Sequence, residues 1–113
     1  MEWNSSINSL ITKEQNEMSI VKVFRNYMED YHTYLADKDW KVDVQTLSMG
    51  DIRHEEVKAL IPADYKQELT CWIFFYDGGA SNVVYLLQDK QGLKNFGICL
   101  LKDEKPVKPI SFM

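Results

Sequence analysis

His32 and His54 are the only histidines of the chain, and Cys71 and Cys99 its only cysteines. Glu29 and His32 carry the i, i+3 spacing used by carboxylate-bridged di-metal sites in helical bundles. Such a site needs two copies of that spacing and two further carboxylates, and the sequence offers one copy. His54-Glu55-Glu56 lacks the second histidine, one helical turn on, of a zinc-protease helix. His32 is therefore expected as a surface histidine, His54 as equally uninvolved, and no metal site is expected. Each cysteine lies inside an apolar run, where a thiolate is disfavoured, and no CxxC occurs. Two buried, reduced thiols are expected rather than a disulfide. GxSxG, SxxK and phosphate-loop patterns are absent, and Gly78-Gly79 is a bare turn with no helix after it. No catalytic residue and no cofactor is expected.

Carboxylates are the remaining chemistry. The chain of 113 residues holds 17 acids and 13 lysines and arginines, a net charge of −4. Residues 1–56 carry 11 acids and 6 bases, net −5; residues 57–113 carry 6 and 7, net +1. Glu29, Asp30, Asp37, Asp39 and Asp43 concentrate this charge around a helix–strand junction. Such a group steers association with a basic partner, and these five are the candidate partner-binding residues. No basic face points to nucleic acid. No run approaches the ~20 apolar residues of a membrane span. The opening Met-Glu-Trp-Asn-Ser-Ser lacks the basic and apolar regions of a signal peptide, so a cytoplasmic protein is expected. Asn4-Ser5-Ser6, a glycosylation pattern, is set aside on the same ground.

Periodicity supplies the helices and strands that carry these groups. Trp3, Ile7, Leu10 and Ile11 sit at helical spacing and predict a short lead-in helix. Thr12-x-x-Gln15 reads as a capping box before a main helix over 13–36. Its stripe is Ile20, Phe24, Tyr27, Met28, Tyr31, Tyr34 and Leu35; one kinked helix and a helix pair fit equally. Trp40, Val42 and Val44 alternate with polar residues and predict a half-buried strand. Gly50 breaks it, Asp51 is placed to cap a short helix carrying Ile52, Val57, Leu60 and Ile61, and Pro62 ends that helix. Leu69–Tyr76 is apolar or aromatic almost throughout and predicts a central strand covered on both faces. Trp72, Phe74 and Tyr76 share one of its faces; Cys71, Ile73 and Phe75 share the other. Turns at Asp77-Gly78-Gly79 and Asp89–Gly92 separate further strands at Val83–Leu87 and Leu93–Leu101, with Gly97 at a bulge or close approach. Lys102–Lys108 reads as a charged connection to an edge strand, Val107–Phe112. The order predicts one α+β domain over 1–113: an N-terminal helix or helix pair packed on a mostly antiparallel sheet of four to five strands.

Ile61-Pro62-Ala63-Asp64-Tyr65-Lys66, followed by Asp77-Gly78-Gly79, resembles the signature of the SUKH family of bacterial toxin-immunity proteins. The resemblance implies an α+β inhibitor that binds and neutralises a toxin, and it carries no catalytic residues. With the acidic half, it favours a non-enzymatic protein-binding module, an immunity or inhibitor protein that occludes the active site of a basic toxin. Two other readings stand beside it. The element order is loosely similar to SnoaL-like cone domains, which hold a small molecule in an apolar mouth; here Tyr31, Trp40, Trp72 or Tyr85 would line it. An aromatic sheet face can also be buried in a homodimer.

Overall fold

The computed structural model describes residues 19–112, and the chain divides into two compact units, Met1–Ala36 and Asp37–Met113. The expected lead-in helix and capping box lie outside the described residues.

In the first unit, residues 19–31 are helical (α1), His32 interrupts the helix, and Thr33–Ala36 forms one further turn (α2). Ile20, Phe24, Tyr27, Met28 and Leu35 are buried as the stripe predicts. Tyr31 and Tyr34 are not: they are 46% and 61% exposed, while His32 is 1% exposed. The break after Tyr31 turns the buried stripe onto His32. Its Nε2 hydrogen-bonds the Tyr27 hydroxyl at 3.0 Å, and its ring stands edge-on to Tyr27 at 4.9 Å. His32 is thus a buried, partnered residue and not a surface histidine. An imidazole tolerates burial when hydrogen-bonded.

The second unit is a five-stranded antiparallel meander, strand order β1-β2-β3-β4-β5. The strands are β1 (Lys41–Leu47), β2 (Leu69–Phe75), β3 (Asn82–Gln88), β4 (Asn95–Lys102) and β5 (Lys105–Ser111). With the N-terminal helical segment this is the α+β class. The strand expected at the centre, β2, is second in order; β3 is central, and β4 is the most deeply buried. β2 is the most apolar run, yet Trp72, Ile73 and Phe75 remain partly exposed. β4 is buried through smaller residues, Gly97 and Cys99 among them.

Between β1 and β2 runs a covering segment. Met49–Asp51 forms a 3₁₀ turn and Glu55–Lys58 a short helix, α3. Asp51 does not cap α3. Its carboxylate accepts from the backbone N–H of Ser48 at 2.9 Å and from the Ser48 hydroxyl at 3.1 Å, closing the 3₁₀ turn behind it. Ile52, Val57, Leu60 and Ile61 then pack on one sheet face with Leu69, Cys71, Leu87, Phe96, Cys99 and Leu101. Each such aliphatic side chain contributes roughly 1.5–3 kcal/mol by leaving water. The opposite face buries Phe74, Val84, Leu86, Ile98 and Leu100.

Three details fix the register. Trp72 Nε1 donates to Gln88 Oε1, and Gln88 Nε2 donates to Asn95 Oδ1, both at 2.7 Å, across the register shift at Leu87/Gln88. A Cβ on Gly97 would lie 2.8 Å from the Ile110 carbonyl oxygen and 2.8 Å from Leu60 Cβ, the close approach expected there. The charged connection expected over Lys102–Lys108 is a two-residue turn instead. Asp103 and Glu104 adopt φ of 52° and 65°, a type I′ pattern in which Asp is common at the first position but the second normally recruits Gly rather than Glu. The Asp103 N–H donates to the Ser81 carbonyl at 2.7 Å, holding that turn against the β2–β3 loop.

Candidate functional site

Side-chain alternation puts Gln45 and Leu47 of β1, Ile73 of β2, Val83, Tyr85 and Leu87 of β3 and Leu101 of β4 on the face that α3 covers. The covering segment is shorter than the sheet, so it closes one part of this face and leaves the rest open. A cleft of about 910 Å³ results. Its floor is Leu47, Ile73, Val83, Tyr85, Leu87 and Leu101. Asp51, Ile52, Arg53, His54 and Val57 form one wall; Ala80, Ser81, Asp103 and Glu104 form another. Three carboxylates against one guanidinium make the rim acidic over an apolar floor. Such a surface is complementary in shape and charge to an apolar body with a cationic head.

Burial raises the Tyr85 hydroxyl pKa, Cys71 adds to the rise and Arg53 opposes it, so the phenol stays a neutral donor in the floor. Beneath the covered part of the same face, burial pushes Cys71 up to about 12. It also takes Cys99 to about 11, where Glu56 adds to the rise and the Val107 backbone works against it. Both thiols are free and buried. Protonated, inaccessible sulfur is inert at neutral pH.

The five carboxylates singled out by sequence lie elsewhere. Glu29 and Asp30 are exposed on α1 of the first unit; Asp37, Asp39 and Asp43 are exposed at and just before β1 in the second. None lines the cleft. Asp43 Oδ1 accepts from the Val44 N–H at 2.9 Å. Lys41, within the same stretch, pairs with Asp77 at 2.8 Å, which raises its pKa. Beside them Trp40 stacks edge-on against Tyr76 at 4.7 Å, with Lys38 Nζ 5.9 Å from that ring. Of the four aromatics expected around an apolar mouth, Tyr85 alone lines this cleft.

Asp103 and Glu104 were missed as rim residues because their stretch reads as a connection. The only sequence signal was two adjacent acids between lysines. Tyr65 and Gly79, in the 61–66 and 77–79 stretches, have local structural roles. The Tyr65 hydroxyl donates to the Glu68 carbonyl and accepts from the Lys90 N–H, pinning the covering segment to the β3–β4 turn. Gly79 lies beneath the Tyr76 ring, where a Cβ would clash.

Among the described residues no group of three or more His, Cys, Asp and Glu is arranged to hold a metal ion, and no helix is long and apolar enough to cross a membrane. Compared with protein-family models, curated proteins and solved structures, the chain matches none.

Proposed function

We propose that this protein is a non-enzymatic binding module for a basic protein partner, working as a cytoplasmic immunity or inhibitor protein that occludes a cationic site. The observation that carries the reading is the cleft: an apolar floor under a rim of Asp51, Asp103 and Glu104 with Arg53 as its cation. Apolar area at the centre of an interface supplies affinity. Carboxylates at its rim select a cationic surface and speed encounter. The net charge of −4 acts in the same direction at longer range.

The test uses ¹⁵N-labelled protein and two synthetic peptides, one alternating lysine with leucine, the other with glutamate in place of lysine. The lysine peptide is expected to shift the amide resonances of Ile73, Val83, Tyr85, Leu101 and Asp103. The response should weaken with salt and in the D103N/E104Q variant. An equal response to the glutamate peptide, or none in the cleft, overturns the reading.

A small-molecule binder of the cone type is the second reading, favoured by cleft volume alone: about 910 Å³ falls within the range of ligand pockets, roughly 300–1,000 Å³. Neutral apolar fragments that shift the same resonances without salt dependence would select it. A sheet-face homodimer would instead show as a doubling of mass in light scattering.

A further inference from the structure

The two edges of the sheet are built differently. β5 carries Pro106 and Pro109, a left-handed Lys108 (φ 53°) and a register shift against β4 at Ile98/Leu100. Prolines, bulges and charged side chains keep an edge from recruiting another strand. β1 has no proline and no bulge; its charges are Lys41, already paired with Asp77, and Asp43, which selects the sign of an incoming strand. Its seven residues pair with β2 in unbroken register from Lys41↔Phe75 to Leu47↔Leu69. Among the described residues no strand lies on its other side. Val44, in its middle, is 45% exposed.

The direction of its free hydrogen-bonding groups is set by one contact. The Val44 N–H donates to its own neighbour's carboxylate, Asp43 Oδ1, and not into β2. By strand alternation the N–H and C=O groups of Val42, Val44 and Thr46 all point outward. Asp43 thus covers the central donor of the edge.

We infer that the outer edge of β1 is the docking edge for an extended basic segment of the partner, which adds to the sheet as a sixth strand. This rests on the basic-partner reading above and says how that partner binds. Charge argues for a basic segment. Asp37, Asp39, Asp43 and Asp77 surround the first half of β1 against Lys38 and Lys41, and Lys41 already pairs with Asp77. When the incoming carbonyl takes the Val44 N–H, the Asp43 carboxylate is released to pair with a lysine or arginine across from it. Side chains on that face of the new strand adjoin Gln45 and Leu47, which are cleft residues. The edge therefore leads its occupant into the cleft. A second copy of this chain fits less well. In the full-length antiparallel register centred on Val44, Asp43 lies opposite Gln45 and the two Asp43 residues share a diagonal, where like charges repel.

The experiment is amide hydrogen exchange of the whole chain with the alternating lysine peptide and its glutamate counterpart. The lysine peptide is expected to slow exchange at Val42, Val44 and Thr46 at least tenfold. V44P removes an outward donor without costing a β1–β2 hydrogen bond and should weaken lysine-peptide binding at least tenfold. D43K, which leaves the backbone intact, should do the same through repulsion. If the lysine peptide shifts cleft resonances but leaves exchange at these three amides unchanged, the strand-addition inference fails and the basic-partner reading stands. Equal protection by the glutamate peptide overturns both. Protection that rises with protein concentration and no peptide assigns the edge to a second copy and overturns the inference.

Discussion

Raising the pH through the thiol range tests how tightly the covered sheet face is closed. Cys71 and Cys99 are both 0% exposed, and burial moves them from an ordinary value of 9.0 to about 12 and about 11. A group whose folded pKa is raised contributes stability that is whole below the unfolded value. That stability is lost as pH climbs towards the folded value, because the unfolded chain releases a proton that the folded one keeps. The window here opens at pH 9 and closes near 11 for Cys99 and near 12 for Cys71. Within it each thiol costs about 1.4 kcal/mol per pH step, so the pair steepens the pH slope by about 2.8 kcal/mol per step. A small protein holds only about 5–15 kcal/mol in all. The assay is urea unfolding at pH 7.5, 8.5, 9 and 9.5, across the opening of the thiol window. C71A and C99A should each begin less stable at pH 7.5 but lose stability about half as steeply above pH 9. A variant as steep as the wild type would show that its thiol ionises in place, and that the face over it is open to water.

Other perturbations probe single contacts. G97A drives a methyl group onto the Ile110 carbonyl and Leu60, and backbone oxygen cannot swing away. It should cost about 1–3 kcal/mol, while G50A, whose nearest atom is 3.9 Å off, should change stability little in the same denaturant melts. Q88A removes both partners of the Trp72 and Asn95 side chains, and the loss of the hydrogen bonds should appear as about 1–3 kcal/mol with a changed tryptophan emission. Neutralising Glu29, Asp30, Asp37, Asp39 and Asp43 together should slow association with a basic partner in stopped-flow, increasingly so at low salt. Stability should shift by under about 1 kcal/mol per charge; an unchanged association rate refutes long-range steering by these groups.

The strands were legible because their residue types are. β-Branched and aromatic runs bounded by Asp-Gly-Gly and Lys-Gln-Gly turns leave few other assignments. What failed depended on breaks and contacts that residue type and spacing do not display. Tyr31 and Tyr34 fit the helical stripe, but one break at His32 rotates the next turn, and periodicity alone does not locate a break. Asp51 has the right type for a helix cap and serves the preceding turn instead, since Ser48 three residues earlier competes for its carboxylate. Glu104 contradicts the usual preference for Gly at the second position of a type I′ turn; the hydrogen bond from Asp103 to Ser81, more than twenty residues away, helps hold it. The cleft was legible only in part. Tyr85 was named as an aromatic of an apolar mouth, but a rim assembled from two turns and a covering segment exists only once the register is set.

The unequal spacing of the strands has a kinetic consequence. β2, β3, β4 and β5 succeed one another through links of six, six and two residues, whereas 21 residues separate β1 from β2. Closing the longer loop costs about 1.1 kcal/mol more than closing a six-residue one. Three hairpins between sequence neighbours form without that cost, so the folding nucleus belongs in β2–β5, and β1 zips on late together with α3. The last strand to arrive is also the first to leave. The part of the cleft lined by Gln45 and Leu47, and the edge beyond it, should then be the least protected part of the sheet in hydrogen exchange, detaching and re-forming while the hairpins behind it stay folded.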